Sequence, residues 1–412
     1  MKLTDEEIAM LNGEHGEVMR VALKMQVEVG EYFGAEDMVK ISSVHASGDV
    51  EELGLAGVEY LEQVARSGAR CAVKAVTDPR GYAFEPRCTL KQLETTKEIE
   101  TRTVAAFEKI GLLNCSNCIV YQTTLQPYFG EHVAWGDTGS VIYANSVFGA
   151  RSNYESGPAA LAASLTGRVP RYGFHLDECR KANVVVHVED QPKELADWGA
   201  LGCCVGRQLN GYWDVPVFEG LTSKPDSDAL KHLGAALASY GSAAMFHIVG
   251  VTPEARSLEA AMSTQREIRH LQVPEGALDS VYHGWSGDFT EADLVVFSAP
   301  QLSLFEIVSI AEALEGKKVH PTVKLIVTTN SQIAASTEQL GIRARLEASG
   351  AELIAGVCFY LMTPRQLSEL NGFSRLVTNS AKLANIMAGQ GYQVKFRRFD
   401  DCIRAATLGT LA

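Results

Sequence analysis

The chain has 412 residues, 46% of them hydrophobic and 21% charged, which excludes a disordered chain and allows a large buried core. Its formal net charge is −13, and no run among the 37 Lys and Arg forms a footprint for a phosphate backbone, so nucleic acid is not an expected partner. No apolar run reaches the ~18 residues of a membrane span, the start Met1-Lys2-Leu3-Thr4-Asp5-Glu6-Glu7 lacks the order of a signal peptide, and nine cysteines are too few for a disulfide scaffold, so a reducing, cytoplasmic compartment is expected.

Thr4-Asp5-Glu6-Glu7 has the form of a capping box, and Ile8, Leu11, Val18, Val21 and Met25 continue it at near-helical spacing, interrupted by Gly13 and Gly16. Short apolar runs then predict buried strands at 71–76, 183–188, 245–249, 293–297 and 324–328. Turn residues such as Thr77-Asp78-Pro79-Arg80-Gly81 and Thr252-Pro253-Glu254 follow them. Helical patterns lie between, at 90–110, 255–271, 304–314 and 333–348. Strands alternating with helices predict an α/β architecture with largely parallel sheets. The polar, proline-containing stretch 221–227 roughly halves the chain and is the best candidate for an internal boundary.

No phosphate-binding glycine loop, no His-Glu-x-x-His and no Gly-x-Ser-x-Gly is present. Gly199, Gly202 and Gly206 are spaced for a helix packed closely on a neighbour. Cys115-Ser116-Asn117-Cys118 suits redox chemistry or metal ligation. The redox reading wants a strand-to-helix turn, whereas strand-like Ile119-Val120-Tyr121 follows immediately. Cys71, Cys203 and Cys204 read as core. Cys358 closes an apolar run, at a predicted strand end where α/β sheets gather their sites. Cys402 lies in Asp400-Asp401-Cys402-Ile403. Either can be a core residue or a ligand, since cysteines far apart in sequence can meet as iron–sulfur ligands.

The densest polar stretch runs from 129 to 175. Its Asn, Ser and Arg residues among glycines suit carboxylate recognition, with the Arg151 guanidinium as a two-pronged donor. A turn-rich connector with Arg151 in a structural ion pair is the alternative. Glu131 and His132 are candidate acid/base groups that can equally be structural.

Within that stretch, Phe129-Gly130-Glu131-His132-Val133-Ala134-Trp135, Tyr143-Ala144-Asn145-Ser146-Val147-Phe148-Gly149-Ala150-Arg151-Ser152-Asn153, Gly157-Pro158-Ala159-Ala160-Leu161 and Tyr172-Gly173-Phe174-His175-Leu176-Asp177 resemble the large, catalytic subunit of the aconitase X family. Val44-His45-Ala46-Ser47-Gly48 and Thr378-Asn379-Ser380-Ala381-Lys382 match more weakly, so the resemblance spans nearly the whole chain. It implies an α/β fold of the aconitase-superfamily kind, several α/β domains around a central cleft, without the swivelling small domain. It implies a hydro-lyase that dehydrates a small hydroxy carboxylic acid, with an iron–sulfur cluster, [2Fe-2S] or [4Fe-4S], as Lewis acid on the hydroxyl.

Position by position, the resemblance assigns Cys118 and Cys358 as cluster ligands. The third family cysteine falls on Ala299, in Phe297-Ser298-Ala299-Pro300-Gln301. Cys402 is expected to replace it, with Cys115 as the alternative. His45, Ser47, Asn145, Ser146, Arg151, Asn153, Ser380 and Lys382 are expected to bind substrate. Tyr121-Gln122-Thr123-Thr124 looks more like bacterial members, which favours cis-3-hydroxy-L-proline over 5-phosphomevalonate. The replaced cysteine leaves a metal-free lyase or isomerase as a further reading. The swivelling domain has no counterpart here, so a small partner subunit, carrying the proton-abstracting base, is expected in a heterodimer.

Overall fold

The computed structural model describes residues 1–285 and 287–411. Three parallel sheets flanked by helices organise the chain. The first orders Lys74–Thr77, Ser43–Ala46 and Ala134–Trp135. The second orders His247–Ile248, Pro216–Glu219, Val184–Val188 and Arg269–Val273. The third orders Glu352–Ala355, Lys324–Thr329, Leu294–Phe297, Arg375–Thr378 and Gln393–Phe396. An antiparallel ribbon pairs Met38–Lys40 with Arg168–Pro170. Central strands such as Val184-Val185-Val186 and Leu294-Val295-Val296-Phe297 are buried continuously, as parallel strands covered on both faces require. The predicted α/β class therefore holds.

The capping box forms at the first helix: Thr4 N–H donates to Glu7 Oε2 at 2.7 Å, and Glu7 N–H to Thr4 Oγ1 at 3.4 Å. Helix Leu195–Gly206 lies directly on helix Ser227–Gly241, and a Cβ on Gly202 would stand 2.7 Å from the Leu233 carbonyl. The stretch 221–227 is a strand-to-helix connection: it leads from Pro216–Glu219 into that second helix, whose first turn is capped by the Asp226 carboxylate on Ala229 N–H at 2.8 Å.

Three predicted elements differ. The pattern over 255–271 yields only the short helix Leu258–Ala261 and then strand Arg269–Val273. That strand alternates half-buried and exposed residues at a sheet edge, a period of two that the apolar count obscured. The helix expected over 333–348 is two helices, Ser331–Gln339 and Ile342–Ser349, broken at Gly341, whose φ of +69° leaves the helical region. Ile119-Val120-Tyr121 is no strand: Val120–Gln122 is a single 3₁₀ turn in a buried loop.

Two apolar clusters fill the interior. One lies around the first sheet and includes Val44, Phe107 and Ile110; the other joins the second and third sheets. The carboxyl ends of the first and third sheets meet where Arg80 N–H donates to Gly356 O at 2.9 Å.

Candidate active site

In the third sheet the chain steps outward in both directions from Leu294–Phe297 and Arg375–Thr378, which are neighbours. The crevice beyond such a switch point is where open α/β sheets bind ligands. Here it is spanned by Ser380, whose Oγ donates to Ala299 O at 2.5 Å and also caps helix Ala381–Ala388 by accepting from Leu383 N–H at 3.1 Å. From the first sheet come the segments after its three strands, carrying Ser47 and Asp49, Asp78, and Gly136-Asp137. Together they bound a cavity of about 540 Å³ lined by Ser47, Asp49, Glu51, Glu52, Asp78, Asp137, Thr138, Ser156, Tyr360 and Lys382, among others.

The charges in this cavity are unevenly matched. Lys382, on the first turn of its helix, is its sole lining cation among the described residues, against five carboxylates. Its Nζ is 3.2 Å from Asp137 Oδ1 and 5.4 Å from the Tyr360 ring centroid. Burial works against the lysine's charge, but Asp137, together with the nearby Cys118 and Cys358, more than offsets it and raises the Lys382 pKa. Burial likewise opposes charge on Asp137; Lys382, His45 and the Ser140 N–H at 3.0 Å overcome it and hold that carboxyl below its usual range. Asp78 goes the other way. Burial, reinforced by the charge of Asp137, raises its pKa against the pull of His45.

His45 is fully buried behind Asp78. Its Nε2 lies 2.8 Å from Asn117 O and 3.3 Å from Asp78 Oδ1, the latter within ionic range but without hydrogen-bond geometry. Among the described residues His45 Nδ1 and Asp78 Oδ1 thus remain without hydrogen-bond partners. Buried polar atoms are normally paired, and exceptions need a reason.

Beside this wall, Cys118 and Cys358 are both buried, both free thiols, and close enough for Cys358 to act on Cys118. Cys118 Sγ accepts from Gln301 N–H at 3.3 Å, and Cys358 Sγ is 3.6 Å from Ser298 Oγ. Burial first, and then the neighbouring Cys358, push the Cys118 thiol far up. Ala299 stands between the residues that hold the two thiols.

Cys402 is elsewhere, which corrects its assignment as third ligand. It sits on the buried side of helix Phe399–Leu408, with its thiol 3.7 Å from Arg397 O, and the charges acting on it are those of Glu194, Asp401 and Arg397. Cys115 faces Thr124 instead. Among the described residues no group of three or more His, Cys, Asp or Glu is arranged to hold a metal ion. The thiols present fit a two-thiolate anchor and do not form the three-cysteine set.

The residues of the polar block 143–153 expected at the substrate lie away from this cavity. Asn145 Nδ2 donates to Ser152 O and Ala244 O, both at 2.9 Å, and its Oδ1 accepts from Ser152 N–H at 2.9 Å. Ser146 Oγ accepts from Phe246 N–H at 2.9 Å. Asn153 Nδ2 donates to Tyr172 O at 3.1 Å, while its Oδ1 accepts from Phe174 N–H at 3.0 Å. Arg151 donates to His175 O at 2.9 Å and pairs with Asp177. None of the four lines the cavity; their side chains hold loops together.

Family profiles described as Aconitase X first, second and third domain match residues 1–178, 182–283 and 292–408. The phosphomevalonate dehydratase large subunit of Thermococcus kodakarensis is 32% identical over 409 residues, 98% of this chain and 100% of its own length. The chain belongs to the aconitase X family. The cis-3-hydroxy-L-proline dehydratase of Pseudomonas aeruginosa is 33% identical over 407 residues, 97% of this chain and 69% of its own. The crystal structure of Thermococcus kodakaraensis aconitase X in its holo-form matches with a TM-score of 0.89 at 32% identity, over 98% of this chain and 100% of that one.

As an aconitase X protein the chain is a dehydratase, a hydro-lyase. No helix among its described residues is long and apolar enough to cross a membrane. Sequence reasoning missed Asp78, Asp137, Tyr360 and Gln301. Asp78 and Asp137 had a usable signal, since each follows a strand at its carboxyl end. Asp137 was hidden as a helix cap.

Proposed function

We propose that this dehydratase acts on a small cyclic hydroxy amino acid of the cis-3-hydroxy-L-proline type. The observation that carries this reading is the acidic lining of the cavity: one lysine, paired with Asp137, among five acidic side chains, of which burial holds Asp49 and Asp78 toward the neutral form. Lys382 meets the substrate carboxylate, and Asp49, Glu51 and Glu52 face its secondary ammonium. A substrate with both a phosphate and a carboxylate would bring two further negative charges against that wall. At ~4 Å each such encounter costs about 1 kcal/mol in water and about 4 kcal/mol at a partly buried site. Asp78 lines the same space, and its carboxyl, which burial holds toward the protonated form, can give a proton to the departing hydroxyl.

An iron–sulfur centre on this chain would be anchored by Cys118 and Cys358, and when bound it supplies Lewis acidity toward the substrate hydroxyl. The relatives named as large subunits support a small partner subunit, and the base that takes the carbon-bound proton belongs on it in this reading.

5-Phosphomevalonate is the second reading, favoured by the end-to-end match to phosphomevalonate dehydratase large subunits. The test is anaerobic co-expression with a candidate small subunit, followed by kinetics on both acids and iron and sulfide counting. The first reading expects kcat/KM for cis-3-hydroxy-L-proline to exceed that for 5-phosphomevalonate by ~100-fold or more, about 2.7 kcal/mol. The reverse preference overturns it, and full turnover without iron selects a metal-free lyase.

A further inference from the structure

Gln301 is completely buried. Its side-chain oxygen accepts from the Cys118 N–H at 3.1 Å. Its side-chain nitrogen, which carries two hydrogens, lies within donating distance of three carbonyls, Ser116 O at 3.1 Å, Thr329 O at 3.1 Å and Val357 O at 3.0 Å. Its backbone N–H donates to Cys118 Sγ at 3.3 Å. One residue thus grips the turn before Cys118, the turn before Cys358 and the end of the strand between them.

Both the turn before Cys118 and the segment bearing Gln301 are strained. Ser116 has φ +49° and Ala299 has φ +58°, left-handed values at residues with a Cβ. Such conformations persist only where their surroundings over-determine them, and they gather at functional sites. An apolar residue at 301 would orphan one buried N–H and several carbonyls. A carboxylate would set a negative oxygen against those carbonyls.

We propose that Gln301 is a positioning residue for the Cys118 and Cys358 thiols, holding the two turns so that the sulfurs stay side by side. The amide does not touch substrate; it acts by fixing where the thiols stand. The proposal depends on the thiol pair and not on the substrate, so its failure leaves the substrate reading untouched.

The test reads the pair directly. Bound iron is removed by anaerobic chelation, the full chain is treated with diamide, and the Cys118–Cys358 disulfide is followed by peptide mapping. Alkylation of the half-buried Cys71 serves as the internal control. C118S defines the zero. Q301L is expected to slow the crosslink ~10-fold or more with Cys71 alkylation and circular dichroism unchanged, a tenfold change being worth about 1.4 kcal/mol. Q301H, which keeps one donor and one acceptor, is expected to restore the rate to within ~3-fold of wild type. If Q301L does not fold, Q301E decides, because it keeps the volume and the acceptor for Cys118 N–H; the same slowing is expected. A wild-type crosslinking rate in folded Q301L or Q301E overturns the proposal. So does failure of all three variants to fold, since Gln301 would then hold the fold and not the thiols.

Discussion

The loop block around Asn145 to Asn153 and the cavity around Asp78, Asp137 and Lys382 are built from the same kinds of residue, buried amides, hydroxyls and charges. They differ in how their valences are met. In the block every amide and guanidinium named above ends on a backbone atom or an ion-pair partner. In the cavity carboxylates outnumber cations, and behind its wall Asp78 Oδ1 and His45 Nδ1 have no hydrogen-bond partner among the described residues. Density of polar residues in the sequence therefore marks a place where the chain must satisfy itself. An open surface where one charge outnumbers the other marks where it can meet something else; a buried unpaired atom alone does not, since His175 Nε2, next to the block, is one as well.

The sharpest way to break this contrast is at Lys382. Removing one partner of a buried ion pair leaves the other charge uncompensated and costs about 3–5 kcal/mol. K382M is thus expected to destabilise the chain through Asp137 and to lower kcat/KM of the assembled enzyme by ~1,000-fold, about 4 kcal/mol of transition-state stabilisation. K382M/D137N separates the two effects, because stability should return with the buried charge gone while activity should not. Recovery of activity in the double variant would make Lys382 scaffolding like Asn145.

The next effect is on pH dependence. Burial first, and then the charge of Glu100, push the Asp49 pKa up to about 7. An unfolded aspartate titrates near ~3.9. Between these values the folded state holds more protons than the unfolded one, so stability falls as pH rises through that window. The three-unit gap corresponds to at most about 4 kcal/mol. D49N removes the titration and keeps the cap on helix Val50–Arg66, where Asp49 Oδ1 now accepts from Glu51 N–H at 2.8 Å. In urea unfolding the variant should match wild type at low pH and exceed it increasingly up to pH 8. A difference that does not change with pH would place the Asp49 carboxyl in an ordinary solvated setting.

The two regions also show what the sequence could carry. Strands such as Leu294–Phe297 and Lys324–Thr329 are legible because parallel strands buried on both faces are unbroken apolar runs. Strand Arg269–Val273 was lost because an edge strand shares its apolar count with a helix. Cys118 and Cys358 were legible as a pair only through family resemblance, since 240 positions separate them and loop geometry alone unites them. Cys402 failed for a local reason: a cysteine on the buried face of an amphipathic helix has the same neighbours in sequence whether it packs or ligates. Asp78 and Asp137 were passed over because a carboxylate beside a turn or at a helix start has an ordinary structural use.

N145A tests the block from the other side. The buried amide serves one N–H and two carbonyls, and orphaning them should cost about 2–3 kcal/mol of stability. The fraction that remains folded should keep its kcat and KM within about twofold, as expected for a group that never meets the substrate. Lost turnover at unchanged stability would move Asn145 to the reaction.

The smallest effect is expected at Arg151, the residue whose planar fork most suggested carboxylate recognition. Both ends of that fork are occupied, one by His175 O at 2.9 Å and one by Asp177. The Asp177 side chain is 80% exposed, and ion pairs in contact with solvent contribute about 0–1 kcal/mol. Lysine can keep one of the two contacts, so R151K should lower Tm by no more than about 2–4 °C. It should leave KM unchanged, because both ends of the fork are already occupied; were Arg151 a bidentate substrate contact, Lys could not reproduce the grip and KM would rise. A tenfold rise in KM, about 1.4 kcal/mol, with Tm unmoved would show the fork turning from Asp177 to substrate, and the line between the self-satisfied block and the open cavity would have to be redrawn to include it.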